Sequence, residues 1–193
     1  MSKFEQQIVD ICNSALLRLG AERISSINEP SKEANLCKEQ YQRSHRDLLR
    51  SHPWNFAVRR KQLGRLEESP AFEFSHAYQL PNDCIRVLAI DRENIKDENE
   101  FQIEGDKILT DLSSLKIKYI SNVQDPRKFD FNYKELLALK LAKDIAYSVT
   151  QSSNLVQLIT NDFERAYMDA RSFNAQEGTP QEISAEDWLN ARI

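Results

Sequence analysis

Only four glycines occur in 193 residues, at positions 20, 64, 105 and 178. No two of them lie within reach of one loop, which excludes the glycine-rich phosphate cradles of P-loop and dinucleotide-binding folds. Three cysteines, Cys12, Cys37 and Cys84, stand far apart and are odd in number. A disulfide framework is therefore not expected, and a reducing compartment fits. No run approaches the roughly 20 apolar residues of a membrane span, and the opening Met1-Ser2-Lys3-Phe4-Glu5 lacks the apolar core of a signal peptide. The three histidines, His45, His52 and His76, form no C-x-x-C, H-x-x-x-H or H-E-x-x-H spacing, so no metal or cofactor is expected. There is no G-x-S-x-G, and each cysteine sits in apolar surroundings that suit a small core residue.

What is present is an ordinary globular composition, 40% apolar and 29% charged, with a net charge of −4. That balance does not suit a chain that binds DNA over its whole surface. The charge is uneven along the chain. Between Arg43 and Arg65 lie seven basic residues (Arg43, Arg46, Arg50, Arg59, Arg60, Lys61, Arg65) against one acid, Asp47. From Asp162 onward acids dominate, with Glu164, Asp169, Glu177, Glu182, Glu186 and Asp187. Two solvated faces would account for this, as would a basic face of one copy meeting an acidic face of another.

Helical periodicity opens the chain. Phe4, Ile8, Ile11, Ala15 and Leu19 recur at steps of three and four, and Gly20 supplies a C-terminal cap. Ile24 and Ile27 lie in a link. Ser31 caps a second helix with Glu33 in its first turn and a seam of Ala34, Cys37, Tyr41, His45 and Leu48. Pro53 ends it, because the residue before a proline is pushed out of the helical region. The segment His52-Pro53-Trp54-Asn55-Phe56 then reads as a packed corner, with Trp54 and Phe56 as core residues fixing the helix exit.

From about residue 71 the period falls to two. Phe72, Phe74 and Tyr78 alternate with polar residues, Leu80-Pro81-Asn82-Asp83 is a turn, and 85–90 is a strand. Phe101–Glu104 and Lys107–Leu109 flank Gly105-Asp106 as a hairpin, and Leu115–Ile120 alternates again. A small antiparallel sheet of four or five strands is expected over 71–121. Asp130 caps a third helix carrying Tyr133, Leu137, Leu141, Ile145 and Val149. Ser152-Ser153-Asn154 breaks the run before a fourth helix from Leu155 to Phe173.

The expected fold is α+β and mainly α. An antiparallel helical bundle (1–66 and 127–176) carries an antiparallel β module (67–126) inserted between helices two and three, with an extended docking tail at 177–193. That tail holds Trp188, Leu189 and Ile193, apolar residues that gain nothing by facing water.

Several of these segments resemble the tail tubular protein A family, the head-to-tail adaptors of short-tailed bacteriophages. The similarity runs through Ala15-Leu16-Leu17-Arg18-Leu19-Gly20, Ile24, Ile27, Ser31 to Tyr41, and Leu48 to Ala57 with its Pro-Trp-Asn-Phe-Ala. It continues through Ala77-Tyr78-Gln79-Leu80-Pro81-Asn82-Asp83-Cys84-Ile85-Arg86-Val87, through Phe101 to Leu109, Tyr119-Ile120 and Asp125-Pro126, and into Leu136–Ala146. It covers about residues 8–175 and leaves 178–193 without a counterpart. The resemblance implies a structural protein and no enzyme. Twelve copies would form a ring beneath the portal protein, with the tail nozzle protein attached below and the phage DNA passing through the channel without specific binding. It also implies a place in the virion, with assembly in the host cytoplasm, and suits a prophage gene equally.

Within that expectation Arg59, Arg60 and Lys61 contribute to the portal or subunit interface, and Trp188, Leu189 and Ile193 to tail docking. An acidic subunit suits a DNA channel, since each neutralised phosphate would add salt-sensitive grip. Two rival functions come from the residues. One is a virion-associated peptidoglycan hydrolase using Glu104 with Asp125 or Asp130, which needs carboxylates about 5–10 Å apart. The other is a DNA-binding regulator using Arg43–Arg65, although that stretch lacks the short turn and second helix of a helix-turn-helix.

Overall fold

The computed structural model describes residues 2–90 and 101–177. Four α-helices lie among them: α1 (Lys3–Arg18), α2 (Lys32–Ser51), α3 (Phe131–Thr150) and α4 (Ser153–Gln176). Six strands fall between α2 and α3: β1 (Val58–Leu63), β2 (His76–Gln79), β3 (Cys84–Ile90), β4 (Phe101–Glu104), β5 (Lys107–Thr110) and β6 (Leu115–Ser121). The fold is α+β and mainly α, with the strands inserted between α2 and α3.

Side-chain caps set the helix ends. Ser2 and Glu5 form a reciprocal capping box at α1. Past its last turn Gly20 takes a φ of +66°, a conformation that costs a Cβ-bearing residue energy. This lets Gly20 N–H donate to the Leu17 carbonyl at 3.1 Å and Ala21 N–H to the Leu16 carbonyl at 3.0 Å, the two bonds of a Schellman cap. The Ala34 N–H donates to Ser31 Oγ, and the Tyr133 N–H donates to Asp130 Oδ1 at 2.6 Å, as the sequence leads one to expect. Ser152 caps α4 by accepting from the Leu155 N–H.

Helix α3 is the centre of the bundle and packs against α1, α2 and α4. Its Leu137, Leu141 and Ala142 are fully buried against Cys12, Ala15 and Leu16 of α1 and Ala34, Cys37 and Leu49 of α2 in one core. Two polar ties fix the register of these helices. Arg18 of α1 meets Glu135 of α3 at 2.7 Å, and Ser44 of α2, fully buried, donates to Asp144 Oδ2 at 2.6 Å. The link between α1 and α2 is pinned by Asn13, whose amide donates to the Ile24 carbonyl (2.9 Å) while its Oδ1 accepts from the Ile24 N–H (2.8 Å).

The β module departs from a single sheet. It forms two three-stranded antiparallel sheets, with orders β1-β6-β3 and β2-β5-β4. A second apolar core lies between them, built from Leu63, Tyr78, Ile90, Ile108, Leu115, Ile117 and Tyr119. The first sheet also reaches the helical core through Ile120, with Ile85 and Leu88 packed beside it. Strand β1 starts at Val58, inside the stretch 1–66 assigned to the helices. Its interior is Arg-Arg-Lys-Gln, so the apolar alternation that reveals a strand survives only at Val58 and Leu63.

Phe72 and Phe74 are not in a strand. Phe72 is exposed, Glu73 adopts a φ of +66°, and the Phe74 N–H turns back to the Phe72 carbonyl at 2.8 Å. The expected hairpin does form, with Glu104 opposite Lys107. Gly105 has a φ of +57° and Asp106 does not share the positive φ, which matches the turn type with glycine in the first central position. That type explains why Gly-Asp stands here instead of Asp-Gly. Among the described residues no helix is long and apolar enough to cross a membrane.

Candidate functional site

The corner after α2 organises its surroundings. His52 is extended at the helix end, as a residue before proline must be, and the chain then makes one 3-10 turn at Asn55–Ala57 before entering β1. Trp54 is 1% exposed, and its indole N–H donates to the Leu48 carbonyl at 2.9 Å, closing the end of α2. Its ring meets Tyr133 edge to face at 5.2 Å and His52 at 4.8 Å. Phe56 packs on Phe129 (5.4 Å) and Tyr133 (4.8 Å). Trp54 and Phe56 thus belong to the packing of the corner. Asn55 reaches across to the last turns of α4: its N–H donates to Asn174 Oδ1 and its amide to the Asn174 carbonyl, both at 2.8 Å.

Behind the corner His45 is buried on the α2 seam. Its Nε2 lies 2.9 Å from the Val123 carbonyl, which can only accept, so Nε2 carries the proton. Nδ1 then accepts from the Tyr133 hydroxyl at 2.9 Å. Burial outweighs the carbonyl contact and lowers the His45 pKa to about 4, keeping the ring neutral. His45 is a satisfied structural histidine.

The corner delivers β1 to the sheet, and antiparallel pairing sorts its basic residues by face. Arg60 stands opposite Lys118, and Gln62 opposite Lys116, with Ala89 beside Lys118 on the other flank. These residues share one face. Arg59, opposite Tyr119, and Lys61, opposite Ile117, point to the other. Arg59, Arg60 and Lys61 are therefore split by the two-residue period of a strand and do not form one patch. The Arg59 guanidinium is turned onto the Phe56 and Val58 carbonyls, both at 2.9 Å.

Two hollows share Arg60 and Lys118, the first bordered also by residues from the other face of the sheet. One, of about 520 Å³, is lined by Arg60, Lys61, Gln62, Ala89, Ile90, Lys116, Ile117 and Lys118. The other, of about 400 Å³, is lined by His52, Pro53, Asn55, Val58, Arg60, Lys118, Asn174 and Ala175. Arg60 and Lys118 line both, so one continuous groove leads from the end of α4 along the sheet. No acidic residue is among its described lining residues. The field there is positive. Burial lowers the His52 pKa, and the Arg171 and Arg86 charges push it further the same way.

Direct opposition of Arg60 and Lys118 is unfavourable for the sheet by itself, because like charges opposite each other destabilise strand pairing. The alternation Leu115-Lys116-Ile117-Lys118 signals that the two lysines share a face, but only the β1–β6 register shows which arginine they meet. Asn174, with no motif around it, left no signal in the sequence.

The other residues singled out lie elsewhere. Glu104 is at the β4–β5 hairpin, opposite Lys107. Asp125 is bound to Arg127 at 2.8 Å, which holds its pKa down to about 2, and Asp130 is used as the α3 cap. Trp188, Leu189 and Ile193 lie outside the described residues. Among the described residues no three of His, Cys, Asp and Glu gather as metal ligands. Cys12 and Cys37 are fully buried, and hydrogen bonding to Cys37 together with burial drives the Cys12 thiol far above its ordinary pKa. Set against protein-family models and against curated proteins, the chain finds no match.

Proposed function

We propose that the protein is a structural head-to-tail adaptor that assembles as a ring, with twelve copies expected, between a phage portal and a tail nozzle, leaving a channel for DNA. The single observation that carries this reading is the groove on the β1–β6–β3 sheet. It combines Arg60 and Lys118, held opposite each other at a cost to the sheet, with the exposed Ala89 beside them. A face that costs stability yet is built into regular secondary structure suits a partner bringing negative charge.

Helix α4 supports the reading from the opposite side. It packs on α3 while Leu158, Met168 and Phe173 stay exposed, and it carries Asp162, Glu164 and Asp169. The exposed apolar side chains of this helix and its three acids, set against Arg165 and Arg171, on one copy and a basic groove on the next would make a heterologous contact, and such contacts close into rings when the rotation permits. The resemblance in the Pro-Trp-Asn-Phe-Ala corner and the Tyr-x-Leu-Pro-x-Asp-Cys turn points the same way. The protein resides in the virion connector, and isolated subunits wait for the portal as template.

The test is to mix purified protein with the portal oligomer from the same genome and image the mixture by electron microscopy. Rings on portals that fail to form with Arg60→Glu support the reading. If the protein neither forms rings alone nor binds the portal, the adaptor reading is lost. Salt-sensitive binding to duplex DNA under the same conditions would favour the regulator instead.

A further inference from the structure

The groove begins where the described chain ends. Asn174 and Ala175 line its mouth, and Glu177 is two residues further on. The sequence then runs Gly178-Thr179-Pro180, residue types that disfavour a helix interior. We infer that residues 178–193 of the same chain dock in this groove, covering Arg60 and Lys118 in the free protein. This does not depend on the adaptor reading, since it concerns the isolated subunit.

Three observations fix the occupant. The first is reach. Sixteen residues in extended form span about 50 Å, whereas the six residues of β1 span about 20 Å, so the segment covers the groove with length to spare. The second is charge. Glu182, Glu186 and Asp187 against Arg192 make the segment −2 (three acids less one base), and the groove presents Arg60 and Lys118 with no acid among its described lining residues. The third is the anchor. Trp188 and Leu189 are apolar side chains that suit the exposed Ala89 and the aliphatic stems of the basic side chains, and a guanidinium or ammonium over an indole would add a cation–π contact. Tethering beside the groove gives the segment an effective concentration near millimolar, so modest contacts suffice. The consequence is self-screening: a partner reaching Arg60 and Lys118 must first displace the segment.

The experiment reads Trp188 in the full-length chain. Its emission is isolated by subtracting that of a Trp188→Phe variant, which leaves the buried Trp54. Docking gives a blue-shifted Trp188, protected from acrylamide quenching at every protein concentration. That protection is lost in an Arg60→Glu, Lys118→Glu double variant whose circular dichroism is unchanged. It is lost as well, without any mutation, at about 0.5 M salt, where the screening length falls to about 4 Å. A Trp188 quenched like free indole in the unaltered chain overturns the inference. So does protection that survives both charge reversal and salt, which would place the segment elsewhere. Protection that appears only as protein concentration rises overturns it in favour of a second copy.

Discussion

Asn55 and Asn174, 119 residues apart, lock the proline corner to the end of α4 through two hydrogen bonds of 2.8 Å. The Asn174 amide adds a contact of 3.1 Å to His52. The pair decides where α4 ends against the sheet, and so where the groove on the Arg60 face begins. Asn174→Ala leaves the Asn55 N–H without its partner in a half-buried site. Denaturant unfolding should show a loss of about 2 kcal/mol. Hydrogen exchange should quicken in the last two turns of α4 and stay unchanged in α1.

Trp54 joins α2, α3 and the corner. Replacing it with phenylalanine keeps most of the ring packing and removes the indole donor, while the Ser51 hydroxyl still donates to the Leu48 carbonyl at 2.8 Å, so it should cost about 1 kcal/mol. Replacement with alanine also opens a cavity beside Tyr133 and should cost about 3–5 kcal/mol. Similar losses for the two variants would mean that the hydrogen bond, and not ring packing, carries the corner.

His45 makes stability depend on acid. Its folded pKa of about 4 lies below its ordinary value of 6.5, so the unfolded chain takes up the proton first. Its contribution is therefore fully present above pH 6.5 and is lost as pH falls through about 4. The loss amounts to about 3 kcal/mol. Unfolding free energies of the unaltered chain and His45→Gln should differ by a constant above pH 7. The advantage of histidine should shrink steadily below 6.5. A pH-independent difference would show that His45 does not titrate in this way.

Lys118→Glu separates stability from assembly. Placing a carboxylate opposite Arg60 turns a repulsive cross-strand pair into an attractive one, and should raise stability by about 0.5 kcal/mol. The same change should weaken portal binding or ring formation. A variant that is more stable and still assembles would remove the groove from the interface.

Much of the helical body was legible because its signals are local. Gly20, Ser31, Pro53, Asp130 and Ser152 act within a few residues of themselves, through φ preferences and side-chain caps. The a/d-like seams of α1, α2 and α3 repeat often enough to reveal a buried face. The Gly105-Asp106 hairpin was legible for the same reason. Strand β1 was not, because its strand character comes from hydrogen bonds to β6 some 55 residues away, and its own interior is charged and polar. Phe72 and Phe74 misled in the opposite sense: their alternation suits a strand, but the positive φ at Glu73 turns the backbone out of any ladder.

For the candidate site the division is sharper. Arg59, Arg60 and Lys61 stood out as a basic run, and the chain alone determined that they are close together. Which of them share a face with Lys116 and Lys118 was decided by pairing register, a long-range property with a two-residue period. The sequence by itself determined the helix ends, the corner residues, the hairpin turn and the charge of each segment, because those depend on torsions and neighbours along the chain. Only the tertiary structure decided the split into two sheets, the Asn55–Asn174 lock and the groove. Each of these joins residues whose separation in sequence carries no local energetic trace.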